Sequence, residues 1–215
     1  MEIIYHDDRV CVCIKPPRVN STDIPGGLPQ LVRDELGGNA YTVHRLDAAV
    51  SGLMVLARTH RAAGDLSAQI RQGDFAKDYL AVVQGILPEK EGQLRDLLLR
   101  DKARRMTFVA PAPGKDVQEA ILRYRVLAEH EGMSLVAIHL ITGRTHQIRC
   151  QFSSRGWPLV ADRKYNPAPG EGDIALWSCR LRFAHPRTGE EMDFTQSPPD
   201  NWPWNAFEYE KEDAF

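Results

Sequence analysis

The run Gly52-Leu53-Met54-Val55-Leu56-Ala57 constrains the fold of this chain more than any other stretch. Six residues without a polar side chain do not suit a half-solvated sheet, so the run predicts a strand over residues 52–58 covered on both faces. Directly before it stands a polar loop, His44-Arg45-Leu46-Asp47-Ala48-Ala49-Val50-Ser51, led in by Val43. A loop of chemically capable side chains at the edge of a buried strand is one way a rigid core carries a site. Asp47 is the candidate reactive group. The same carboxylate would serve equally as a turn former bonded to nearby amides.

The rest of the chain supplies the context for that strand. Residues 2–5 and 9–15 read as two short strands, the second stopped by Pro16-Pro17, because proline cannot donate to a ladder. Leu28 to Leu36 has helical spacing and ends at Gly37-Gly38, and His60 to Gly73 repeats that pattern. Phe75 to Gly85 reads as a strand with Lys77 and Tyr79 on one face. Gln93–Leu99 and Arg104–Ala110 are candidate pairing partners, and Gln118–Glu129 with Ser134–Ile141 forms a hairpin. Thr145 is positioned to cap a helix running to Arg155, with Ile148 and Phe152 one turn apart on its buried side. Arg144 then lies just ahead of a helix N-terminus, a place that favours an anion, either a phosphate or Asp47. Ile174 to Phe183 is a further apolar stretch, 192–195 a strand, and a tail beyond Pro198-Pro199 ends in a helix from Trp202 onward. No internal repeat or clear linker interrupts the chain, so residues 1–215 read as a single domain about a central sheet.

Composition narrows the class. At 215 residues, 43% hydrophobic and 26% charged, the chain has the make-up of a globular protein. No apolar run reaches the roughly 20 residues a membrane span needs, and the N-terminus lacks a leader pattern, so a cytoplasmic location away from membranes is expected. Cys11, Cys13, Cys150 and Cys179 fit reduced, buried residues, and no second ligand pair accompanies Cys11 and Cys13, so no metal is expected. The net charge of -2 lacks the basic excess of most phosphate-backbone binders. A nucleic-acid footprint would have to be local, and Arg100, Lys102, Arg104 and Arg105 form one such cluster; a solvated hairpin tip is the competing reading.

Four separated blocks, in order, resemble one family. His44-Arg45-Leu46-Asp47 with Ser51-Gly52 is similar to the central motif of the RluA-type RNA pseudouridine synthases. Lys77 and Tyr79 ahead of Val82-Val83 and Gly85 resemble the second motif. Thr142-Gly143-Arg144-Thr145-His146-Gln147-Ile148-Arg149, followed by Gly156-Trp157-Pro158-Leu159 and Asp162, resembles the third, and Arg182 to Glu190 resembles the closing turn. Val50, Gln151, Trp177 and Ile14 depart from the family pattern, a departure read as altered substrate fit, and no S4-like RNA-binding domain is expected.

The resemblance implies an α+β pseudouridine-synthase-like fold, with a mixed, mostly antiparallel central sheet flanked by helices and a catalytic cleft across the sheet. It implies isomerisation of a uridine in ribosomal or transfer RNA, with Asp47 attacking C1' or deprotonating C2', Arg144 holding its charge and Tyr79 facing the base. Arg45, Lys77, His44, His146, Arg149, Arg104 and Arg105 become candidate RNA contacts. No cofactor, no metal, no membrane and no obligatory protein partner are implied, and the expected state is a monomer. Two rivals are a non-catalytic RNA-binding protein on the same fold and an Asp-nucleophile hydrolase of nucleosides or sugars.

Overall fold

The computed structural model describes residues 1–210, which divide into two compact units: Met1–Lys77 with Trp177–Pro198, and Asp78–Leu176 with the segment from Pro199. The first unit opens with β1 (Glu2–His6) and β2 (Val10–Lys15), paired antiparallel around the turn at Asp7, whose carboxylate accepts from the amides of Arg9 and Val10. Helix α1 (Leu28–Leu36) has Pro29 in its first turn, where a missing N–H costs nothing. Two-residue β3 (Tyr41–Thr42) and then β4 (Ser51–Ala57) follow. The 52–58 run is indeed a strand with every residue from Gly52 to Ala57 buried.

Strand β4 is paired on both edges. It runs antiparallel to β2, with Val12 opposite Val55 and Ile14 opposite Leu53. On its other side it runs parallel to β10 (Leu176–Ala184), which returns from the far end of the sequence and pairs in turn with β11 (Glu191–Thr195). Helix α2 (His60–Gln72), capped by the Thr59 hydroxyl and ended by left-handed Gly73, buries Ala62 and Leu66 against one face. There Val10, Val12, Leu53, Val55, Phe75, Leu181 and Phe183 close the core. Cys11, Cys13, Met54 and Leu56, on the opposite face, are also fully buried. At Gly52 (φ +114) a Cβ would stand 2.4 Å from the Ser178 carbonyl oxygen, so only glycine permits this approach of β4 to β10.

Strand β5 (Ala76–Gln84) leads into the second unit. There β6 (Glu91–Asp101), β7 (Met106–Val109), β8 (Val117–His130) and β9 (Met133–Leu140) pair antiparallel in the order β5-β9-β8-β6-β7, two hairpins joined through β6 and β8. Both hairpins expected from the sequence are present. Helix α3 (Gln147–Ser153) lies on one face, its Phe152 ring set edge-on to Tyr124 at 5.8 Å.

Two expectations need correction. Thr145 does not cap α3: the cap position is His146, in left-handed conformation (φ 55) and with no side-chain cap bond. Gln147 replaces that function, its Oε1 accepting from the Arg144 amide and the Thr142 hydroxyl, and the helix ends at Ser153 rather than Arg155. Within the described residues, the expected helix from Trp202 is a single 3-10 turn, Trp204–Ala206; residues 211–215 lie outside the description. The architecture is an α+β fold with a mixed, mostly antiparallel set of strands and, among the described residues, three α-helices.

Candidate active site

The loop between β3 and β4 is bolted down at three points. The Asp47 carbonyl accepts from the Val50 amide and closes a turn. At Leu46, the amide donates to Ser21 Oγ (3.1 Å) while that hydroxyl donates to the Leu46 carbonyl (2.7 Å). At Ala48, the carbonyl accepts from the Arg18 amide (2.7 Å) and from Lys15 Nζ (3.1 Å). With its neighbours fixed on both sides, half-buried Asp47 has little backbone freedom left.

Lys15 is the residue that sequence reasoning missed. It ends β2, has no exposed surface, and spends its three N–H donors on the carbonyls of Pro16 (2.8 Å), Val19 (2.9 Å) and Ala48. Carbonyls satisfy the hydrogen bonds but do not cancel the charge. Burial therefore pushes the Lys15 pKa down to about 8, and the Asp47 carboxylate is the group that resists this. The available signal was the lysine at the end of an otherwise apolar strand, directly ahead of Pro16-Pro17.

The remaining expected site residues fall into three groups. Tyr79, on β5 opposite Ile138, is buried, and Arg144 is exposed, its Nε donating to the Glu119 carbonyl at 2.9 Å. Both belong to the second unit, while Asp47 belongs to the first. Arg45, Arg104 and Arg105 are exposed, as an RNA contact requires; the Arg104 guanidinium lies over the Phe108 ring at 6.0 Å.

The third group is built inward. Arg149 is 4% exposed and forks onto Asp162 (2.8 and 2.7 Å), so it is a buried strut and not a phosphate contact. His44 Nε2 accepts from the Val55 amide, and desolvation together with the Lys77 ammonium drives its pKa down to about 3. The neutral ring thus carries its proton on Nδ1, a buried atom with no hydrogen-bond partner among the described residues. His44 orients the loop against β4 and does not present a charge to RNA. Lys77 is half-buried, 5.9 Å from the Phe75 ring centre, and burial lowers its pKa. His146 Nδ1 engages the Tyr165 hydroxyl at 2.8 Å.

Three departures from the family pattern also point inward. Val50 is buried, Gln151 Nε2 donates to Asp96 (2.7 Å), and Trp177 Nε1 donates to the Gln196 carbonyl (2.8 Å). These residues are part of the packing, so any effect on substrate fit would act through the fold.

Comparison with known proteins defines the class. Residues 10–154 match the family described as RNA pseudouridylate synthase. The uncharacterized RNA pseudouridine synthase YlyB of Bacillus subtilis is 33% identical, the alignment covering 94% of this chain and 70% of that protein. The dual-specificity RNA pseudouridine synthase RluA of Haemophilus influenzae is 31% identical over 90% of this chain and 91% of its own length. Ribosomal large subunit pseudouridine synthase D of Neisseria meningitidis is 32% identical, but the chain spans only 59% of it. The solved structure of human RNA pseudouridylate synthase domain containing 1 shares the fold (TM-score 0.80, 23% identity, 92% of this chain and 83% of that one).

The chain belongs to the RluA family of RNA pseudouridine synthases and is an isomerase acting on RNA. No helix among the described residues is long and apolar enough to cross a membrane.

Proposed function

We propose that this enzyme converts one or more uridines in a structured ribosomal or transfer RNA stem-loop to pseudouridine, with Asp47 as its catalytic carboxylate. The observation that carries the assignment is the mounting of Asp47: a loop tied at Leu46 and Ala48, with the buried Lys15 ammonium on that loop's carbonyl favoured by the Asp47 charge. A carboxylate that must act at a sugar carbon needs a fixed position and a stabilised charge, and the loop supplies both.

In the reaction the N1–C1' bond breaks and a C5–C1' bond forms; C5 loses a proton and N1 gains one. Asp47 initiates it either by attack on C1' or by removing the C2' proton. The base never leaves as a free molecule and no water is activated, so one carboxylate suffices where a glycosidase needs two. The isomerisation is redox-neutral and makes one bond for each broken, so the chemistry itself calls for no cofactor. Arg144 is assigned to Asp47 as its counter-charge. Tyr79 is assigned to the face of the target base and to the C5 proton. Extruding the uridine costs a few kcal/mol unless it is already unpaired, and Arg45 is assigned to the space it leaves. We further read the chain as one catalytic domain acting as a cytoplasmic monomer.

Mapping pseudouridines in ribosomal and transfer RNA from strains with and without the gene tests the assignment. At least one site should disappear with the gene, return with the wild-type gene, and fail to return with Asp47→Ala. Persistence of every site, or restoration by Asp47→Ala, would overturn it.

A further inference from the structure

The β6–β7 hairpin and the turn that carries Arg144 are joined by a set of bonds that centres on one hydroxyl. Tyr165 Oη accepts from the Thr107 amide of β7 (2.7 Å) and engages His146 Nδ1 (2.8 Å). Burial pushes the Tyr165 phenol pKa up, so the hydroxyl keeps its proton and bridges the Thr107 amide, from which it accepts, and the His146 ring. Two further struts run alongside: Thr107 Oγ1 donates to the Thr145 carbonyl (2.9 Å), and Lys164 Nζ donates to the Arg105 carbonyl (2.9 Å).

The mount of Tyr165 is stiff. Its amide and that of Lys164 donate to Asp162 Oδ1, its carbonyl accepts from Ser153 Oγ (2.7 Å), and Asp162 is itself clamped by buried Arg149. The Arg149 guanidinium lies 5.1 Å from the Tyr165 ring centre. On the other side of the latch, His146 holds a left-handed backbone conformation that a non-glycine residue adopts only when its surroundings impose it. Strand β8 holds β6 as far as Leu99, but the exposed basic tip lies beyond that pairing. The Tyr165 and Lys164 bonds supply a second hold on the β7 side of the tip.

We propose that Tyr165 is a positioning residue for RNA, latching the basic hairpin to the Thr142–His146 turn so that Arg104 and Arg105 meet RNA phosphates in fixed register with Arg144. This rests on reading the hairpin tip as a phosphate contact. The latch converts a loose basic tip into a preorganised one, and its loss reinstates an ordering cost at each binding event.

The test uses the full chain and four variants: Tyr165→Phe, Thr107→Val, the tip pair Arg104→Gln with Arg105→Gln, and the tip pair combined with Tyr165→Phe. Amide hydrogen exchange comes first. Tyr165→Phe should accelerate exchange across residues 105–109 and leave β4 unchanged; unaltered hairpin exchange would overturn the latch. Kinetics follow on an in vitro transcript carrying a uridine identified by the mapping. Tyr165→Phe should raise KM about tenfold with kcat within about twofold, a split that a general loss of folded protein does not produce. The tip pair should raise KM similarly in the wild-type background and add little in the Tyr165→Phe background.

Faster hairpin exchange with unchanged KM would reduce Tyr165 to a structural role and overturn the proposal. If the tip pair leaves wild-type KM unchanged, the phosphate-contact reading fails by itself, and exchange still decides whether the latch exists. Thr107→Val severs a different strut and should shift exchange and KM in the same direction. It guards against a Tyr165→Phe chain that does not fold.

Discussion

Two buried cations, one in each unit, are solved in opposite ways. Arg149 forks onto the Asp162 carboxylate, so its charge is cancelled where it sits and the pair serves as a rivet. Lys15 is equally inaccessible, yet it is wrapped by three carbonyls, and the carboxylate that offsets its desolvation is that of Asp47. A cation quenched by its own partner stabilises the fold and projects little field. One held by neutral dipoles costs stability and keeps its field for a neighbouring group. The same distinction separates Arg149, expected from the sequence to bind RNA, from the lysine beneath the proposed catalytic loop.

The comparison can be broken at several points, in falling order of expected effect. Asp47→Ala should abolish turnover while RNA affinity changes by less than about threefold, because transition-state interactions are lost and phosphate contacts are kept. Gel-shift and tritium-release assays on the folded variant check this; lost binding would remove Asp47 from its assigned role. Arg149→Met should lower unfolding free energy by about 3–5 kcal/mol, since Asp162 is left charged and buried. Urea titration measures it, and a loss near zero would mean that the rivet is ornamental.

Lys15→Met should show the reverse balance. Its stability change should stay within about 2 kcal/mol, because removing a desolvated charge offsets three orphaned carbonyls, while kcat falls about tenfold or more. Equal losses of stability and kcat would erase the contrast between the two cations.

The smallest effect is in the pH dependence. The folded-state pKa of Lys15 lies near 8, below its ordinary 10.5, so between those values the unfolded chain binds more protons and unfolding free energy rises with pH. The cost of burying the charge is fully present below pH 8 and is relieved above it. Over the same window kcat should fall as the ammonium beside Asp47 is lost. Denaturant midpoints and kcat measured from pH 7 to 10 should therefore diverge, and Lys15→Met should lose both dependences. A parallel fall of both in the wild type would count against this role of Lys15.

Most of the strands and both long helices were legible in the sequence, because apolar periodicity and glycine or proline stops act within a few residues. The 52–58 strand, α1 and the two hairpins follow from such local signals. What escaped depends on distant partners. Ser21 secures Leu46 from 25 residues away, and Tyr165 secures Thr107 from 58 away; nothing in the pattern around either residue records that contact. Arg149 and His44 stood among the candidate RNA contacts, and no local pattern tells that Arg149 turns inward to Asp162 or His44 to the Val55 amide. The start of α3 was misread because a threonine in a suitable place is only a candidate cap, whereas the glutamine that does the bonding sits inside the helix. The motif residues Asp47, Tyr79 and Arg144 could be picked out in sequence by resemblance, but the mounting of the Asp47 loop could not.

The discontinuity of the first unit has a consequence during synthesis. Gly52 on β4 meets Ser178 on β10, so the strand adjoining the Asp47 loop waits for a partner made more than a hundred residues later. Until then β4, apolar from Gly52 to Ala57 and met on that side by β3 at Leu56 and Ala57, has an open edge on a growing chain, the kind of edge that invites pairing with other polypeptides. The Asp47 loop itself is tied to Lys15, Arg18 and Ser21, all made before it, so the loop can be fixed while the strand it leads into still lacks β10. A polypeptide interrupted between residues 57 and 176 should therefore be an aggregation hazard as well as an inactive fragment.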